Sequence, residues 1–256
     1  MANRDLFGDR AREYARVRPA YPEALFDHLE TLVPARALAW DCGAGTGQAS
    51  RSLARRFERV IATDSSRRQL AEAYLGGPHV HAVAAMAEVA PIRDRSVDLV
   101  VVSAALHWFD RPRFFAEVAR VARPGAILAA WSYYETRVDP AVDAIVMHFA
   151  NEVISPWWPP GMQLNRDAYR PLDVPFERLP WPEFAAEGAM RLDDLLVFMR
   201  TWSASQAWQR ERGVDPVETV RERLAAAWGD PERERPVRWP LHGVIARVTG
   251  GESPPA

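Results

Sequence analysis

The chain has 256 residues, 48% hydrophobic and 26% charged, a composition that suits a globular protein with enough length to bury a substantial core. Its formal net charge of -2 gives no global positive field for nucleic acid and no strong negative field to steer cations. All 32 basic residues are Arg, so chemistry that needs a lysine (a P-loop, a Schiff base, a pyridoxal anchor) is excluded.

The single cysteine, Cys42, excludes an internal disulfide and a multi-cysteine zinc site and fits a reducing compartment. The first residues alternate charged and apolar side chains, without the continuous apolar region of a signal peptide, and no run approaches the roughly 20 apolar residues that span a bilayer. The expectation is a cytoplasmic protein whose partner is a small molecule, with neither nucleic acid nor membrane involved.

In chain order, residues 1 to 36 read as an N-terminal cover segment carrying Tyr14, Arg18 and Tyr21. The short apolar runs at 37–41 (ALAWD), 59–64 (RVIATD), 97–103 (VDLVVVS) and 126–131 (AILAAW) read as strands buried on both faces, as in a parallel sheet. Between them, 48–57, 66–74 and 113–122 place apolar residues at three- and four-residue spacing, the pattern of amphipathic helices. Pro124-Gly125 reads as a sharp stop before the last of these strands. Alternation of strand and helix over 37–136 predicts a doubly wound, Rossmann-like α/β core with a mostly parallel, seven-stranded sheet.

Beyond residue 136 the texture changes, with seven of the 10 Trp residues and a cluster of prolines following position 150. A long regular helix is excluded there. The spacing predicts a helix over 140–153, an irregular Pro/Trp segment, a strand near 184–191, helices near 192–210 and 215–228, and a closing strand near 243–249. Residues 250–256 read as a frayed tail. Residues 137–256 should therefore complete the sheet and carry a helical, irregular insertion that covers the substrate.

The strongest motif is Asp41-Cys42-Gly43-Ala44-Gly45-Thr46-Gly47, which leaves a buried strand and enters a helix. Glycines there let backbone approach a ligand closely while the chain turns into the helix. A dinucleotide fingerprint, G-x-G-x-x-G, would need its third glycine where Gln48 stands. Asp64 closes the next strand about 20 residues after the glycines, a spacing at which an acidic side chain accepts hydrogen bonds from ribose hydroxyls. The competing role is a cap on the helix that follows Ser65.

With these motifs, the segment Met86-Ala87-Glu88-Val89-Ala90-Pro91, the run VDLVVVSAALHWFD and the run RVARPGAILAAW, residues 37–132 resemble the class I S-adenosylmethionine-dependent methyltransferases of the type 11 family. The D-x-G-x-G-x-G pattern is that family's signature. The resemblance implies S-adenosylmethionine as cofactor, with Asp41, Gly43, Ala44, Gly45, Gly47, Asp64 and Ser65 around it. It also implies that Met86, Ala87 and Glu88 flank the adenine and that Ala104 to His107 lie beside the transferable methyl. Outside that stretch, the N-terminal Tyr14, Arg18-Pro19 and Tyr21-Pro22, and the later WWPPG, TWSA and VRWPLHG segments, resemble a narrower branch that includes the trans-aconitate methyltransferases.

Two candidates stand out for catalysis. His107 is either a base or substrate anchor, since histidine titrates near neutral pH, or a pocket-lining ring with structural partners. Tyr14 is the second candidate base. Substrate contacts are expected from Arg18, Tyr21, Trp108, Trp157, Trp158 and Trp202, because aromatic walls bury large area with fixed geometry. His79 and His81 alternate along an expected strand and have structural or solvent-facing roles. No His or Cys spacing suits a metal. The expected activity is methyl transfer to a small acceptor, with O-methylation of a carboxylate or hydroxyl favoured. The alternatives are a non-catalytic S-adenosylmethionine-binding partner subunit, a nicotinamide oxidoreductase and, as a minor one, a polyamine synthase.

Overall fold

The computed structural model describes residues 17–73 and 77–249. Helix α1 (Glu23–Leu32) precedes β1 (Leu38–Cys42), α2 (Gln48–Leu53), β2 (Arg59–Asp64), α3 (Arg67–Ala71), β3 (Val80–Ala84), β4 (Val97–Ser103), α4 (Arg111–Val121) and β5 (Ala122–Ser132). These five strands pair in parallel in the order β3-β2-β1-β4-β5. All residues of β1 are buried, and β4 is buried up to Val102, which is why these strands read as unbroken apolar runs. Asp98, fully buried at the start of β4, accepts the N–H groups of Ala37 and Leu38 and pairs with Arg123 at 3.0 Å, so it pins β1 beside β4.

Strand β5 begins at Ala122, before Pro124-Gly125 instead of after it. Gly125 takes a φ of 82°, and the register against β4 shifts between Val97 and Leu99, so the strand passes through the pair as a bulge. The helix stops at Val121.

The second half supplies α5 (Pro140–His148), a π-helical turn over Phe149–Val153, α6 (Met162–Arg166), β6 (Glu177–Leu179), β7 (Phe184–Met190), α7 (Leu192–Arg200), α8 (Ser203–Arg212), α9 (Arg221–Trp228) and β8 (Arg235–Arg247). Its last strand inserts antiparallel beside β5 and carries β6 on its far side, so seven strands stand in line as the sequence suggests. An eighth, β7, pairs with the first half of β8. Two expectations change here. The helix over 192–210 is broken at Trp202, whose φ of -68° and ψ of 140° are extended. The closing strand is much longer than 243–249, because Pro236 and Pro240 fall in the half of β8 that pairs with β7 and lies outside the main sheet.

Candidate functional site

The carboxyl ends of the parallel strands carry two clefts. The first is built by the turn from β1 into α2. The N–H groups of Gly43 and Ala44 both donate to the Thr63 carbonyl, at 2.8 and 2.9 Å, which locks the turn against the end of β2. Gly45 has a φ of 55° and would bring a Cβ to 2.7 Å from the Gln69 side chain. Both constraints favour glycine. Its N–H donates at 2.9 Å to Asp64, whose other oxygen accepts the Ser66 N–H at 2.7 Å. Asp64 thus ties the two turns together and lines the cleft as a carboxylate, while the cap of α3 is Ser66, whose side chain accepts the Gln69 N–H. Burial pushes the Asp64 pKa up against the pull of the Gly45 and Ser66 N–H groups.

Opposite the glycine turn, the loop after β3 brings Met86, Ala87 and Glu88 to the same cleft. This loop is held from beneath by α4. Glu117 accepts the Ala90 N–H at 2.6 Å, while Arg120 donates to the carbonyls of Ala90 and Ile92 at 3.0 and 2.9 Å. Glu88 accepts the Asp110 N–H at 2.9 Å. Ser65 and Ala104 also line the cleft, as do Gln48 and Gln69, which sequence reasoning missed. Gly47 and Asp41 do not line it. Gly47 forms the left-handed N-cap of α2, and Asp41 is fully buried beneath the turn. The Asp41 carboxylate accepts the Ser50 hydroxyl through one oxygen and has no partner for the other, and burial pushes its pKa up to about 7.

The second cleft lies between the strand ends and the second-half helices. Of the residues expected to touch substrate, Arg18, Trp108, Trp158 and Trp202 line it. Arg18 donates to the Tyr133 hydroxyl at 2.6 Å and to Thr201 at 3.4 Å, and its guanidinium lies 5.2 Å from the Phe198 ring centre. Tyr133, Asn165 and Phe198 line it as well. Asn165 is fixed from both sides, donating to the Tyr133 carbonyl at 3.2 Å and accepting from His242 at 2.8 Å. Among the described lining residues there is no carboxylate.

Two expected substrate contacts stand elsewhere. Tyr21 lines the first cleft, its ring edge-on to Trp131 at 5.4 Å. Trp157 lines neither. A short 3-10 turn ends there and the chain becomes extended at Trp158, so the neighbouring rings diverge and Trp157 packs on Trp208 at 4.4 Å and Arg212 at 4.7 Å. Tyr14 lies outside the described residues.

Ala104 and Trp108 line both clefts, so the two compartments adjoin at the mouth of β4. Ala104 has a φ of 51°, uncommon for a residue with a Cβ, and its N–H donates to the Trp131 carbonyl at 2.8 Å. Beside it, His107 is 8% exposed and lines the second cleft. Burial, with lesser contributions from His242 and Arg18, lowers its pKa to about 3. His79, by contrast, is tied to the Ala54 carbonyl at 2.8 Å, in keeping with its structural reading.

Among the described residues no group of three or more His, Cys, Asp or Glu could hold a metal ion, and no helix is long and apolar enough to cross a membrane. Residues 40–130 match the family described as "Methyltransferase domain". Across 95% of both chains, a methyltransferase relative from Dictyostelium discoideum is 27% identical. An uncharacterized methyltransferase of Mycobacterium tuberculosis is 38% identical over 52% of this chain and 54% of its own length. Among solved structures, one named as a type II methyltransferase from Anaeromyxobacter dehalogenans is 43% identical, with a TM-score of 0.83, covering 91% of this chain and 99% of its own.

Proposed function

Because the chain belongs to the class I S-adenosylmethionine-dependent methyltransferases, we propose that it methylates an oxygen of a small acceptor and that this oxygen belongs to a carboxylate. The residues of the first cleft fit the methyl donor. Beyond the bonds from Gly45 and Ser66, the two Asp64 oxygens keep lone pairs able to accept ribose hydroxyls. When bound, S-adenosylmethionine supplies a methyl already activated on a sulfonium, which an ionised oxygen takes while the bond pair returns to sulfur and no proton moves.

The observation that carries the acceptor reading is the lining of the second cleft. Arg18 is there, no described carboxylate is, and His107 is held neutral. Such a lining offers no strong base to take a proton from an alcohol and no anion to hold an ammonium. A carboxylate enters already ionised and matches a guanidinium. Trp158, Trp202 and Phe198 add apolar walls suited to a small acceptor with an apolar body. What this chain contributes is then chiefly positioning, an effect worth up to about 7 to 11 kcal/mol. A non-catalytic partner subunit would have no use for an acceptor cleft adjoining the cofactor cleft.

The test is incubation with methyl-labelled S-adenosylmethionine and a panel of apolar-bodied carboxylic acids. The expected product is a methyl ester, labile to base. Label appearing only in base-stable ethers or N-methyl compounds would overturn the carboxylate reading.

A further inference from the structure

His107 has a feature that the methyl-transfer reading leaves unused. Its Nδ1 is sealed from solvent and has no hydrogen-bond partner, while the ring lines the acceptor cleft. That leaves Nε2 as the nitrogen able to reach a bound molecule. A neutral imidazole carries one proton, and an orphaned buried N–H is rarer than an orphaned acceptor lone pair. The proton therefore belongs on Nε2, which makes the ring a hydrogen-bond donor toward the cleft.

The surroundings favour the same assignment. No carboxylate hydrogen-bonds to the ring, so the third group that orients a catalytic histidine base is missing among the described residues. The charged and titratable groups facing it are Arg18 from the N-terminal segment, His242 from β8, and Tyr133 and Tyr134 from the chain after β5. None of these stabilises an imidazolium. The ring packs on Trp108, 4.9 Å between ring centres, while the backbone that carries it is backed by Gly161, whose missing Cβ would stand 2.0 Å from the His107 carbonyl oxygen.

We propose that His107 is a positioning residue that donates from Nε2 to a carboxylate oxygen of the acceptor, holding it beside Ala104 where the two clefts adjoin, and that it does not act as a general base. This deepens the carboxylate reading and rests on it. A donor that stays neutral works equally across the physiological pH range, so the acceptor's grip does not depend on titration of this ring.

The test uses the full chain with nitrogen-15-labelled histidine, loaded with S-adenosylhomocysteine, and benzoate as the probe acid. Nuclear magnetic resonance should show His107 protonated on Nε2 and neutral from about pH 5 to 9, with its N–H signal moved by benzoate. His107→Gln keeps an amide N–H near the Nε2 position and should bind benzoate within about threefold of wild type. His107→Asn and His107→Phe should weaken it by about tenfold or more, with S-adenosylhomocysteine affinity unchanged in all three. A proton on Nδ1, a ring that titrates between about pH 6 and 8, benzoate that fails to bind the loaded chain, or benzoate binding to His107→Phe as to wild type would each overturn the proposal. Failure of the wild-type chain to bind S-adenosylhomocysteine would strike the methyl-donor reading instead, and the position of the proton, read on the unloaded chain, would still decide the donor assignment.

Discussion

A Cβ at Gly161 would lie 2.0 Å from the carbonyl oxygen of His107, so the segment leading into α6 rests directly on the turn that follows β4. The cover and the strand end are therefore one packed unit, and the clash is with backbone that cannot swing aside. Gly161→Ala should push the two apart, costing about 1 to 3 kcal/mol of stability as an overpacking change does. Acceptor turnover should fall more than S-adenosylhomocysteine affinity, read by comparing KM for the acceptor with calorimetry for the product. Equal losses in both would mean that this contact serves the whole fold and not the acceptor cleft.

The link between Gly45 and Asp64 predicts a different split. Asp64→Ala removes the acceptor of two N–H groups as well as the carboxylate facing the cleft, and Gly45→Val forces a side chain into a φ of 55° against Gln69. Each variant should weaken S-adenosylhomocysteine by about 1 to 3 kcal/mol in calorimetry. Wild-type affinity in both would remove the glycine turn from the cofactor site.

Among the aromatic walls, Trp158 gives the cleaner probe. It is only partly buried and donates to the Ala150 carbonyl at 2.8 Å, whereas Trp202 packs against Phe149, Phe198 and Trp158 and is 8% exposed. Trp158→Ala should impair methyl transfer while S-adenosylhomocysteine affinity stays within about tenfold, roughly 1.4 kcal/mol. Trp202→Ala should in addition lower the melting temperature, because an emptied core site costs about 3 to 5 kcal/mol. Unchanged turnover in Trp158→Ala would make that ring structural cover.

Buried titratable groups set opposing slopes of stability against pH. Asp41, with its folded pKa raised to about 7, holds a proton that the unfolded chain has released above its ordinary value near 4, so its contribution falls as pH rises through that window. His107 and His242, lowered to about 3 and about 4, stay neutral where the unfolded chain is protonated, so their contribution falls as pH drops below about 6.5. Replacing Asp41 with Asn should therefore steepen the rise in melting temperature between about pH 4 and 7. A profile identical to wild type would show that Asp41 ionises normally.

Much of the first cleft was legible in the sequence because its parts are local. A strand end, a glycine turn and an acidic residue closing the next strand specify one another over about 25 residues, and Gly43, Gly45 and Asp64 meet as their spacing implies. The second cleft was less legible because it is assembled from far apart. Arg18 meets Tyr133 across 115 residues, and Asn165 meets His242 across 77. Adjacent Trp157 and Trp158 diverge at the end of one short turn, which no spacing rule resolves. The length of β8 was not legible because its first half, with Pro236 and Pro240, pairs with β7 and not with the main sheet.

Donor and acceptor should meet at Ala104 and Trp108, which line both clefts. Diffraction from crystals grown with S-adenosylhomocysteine and benzoate tests it most directly. S-adenosylhomocysteine should lie along the glycine turn and Asp64, with its sulfur beside Ala104, and benzoate between Trp158 and Phe198 with its carboxylate turned toward that sulfur. Either ligand lodged in another part of the chain, or benzoate seated with its carboxylate away from Ala104, would contradict it.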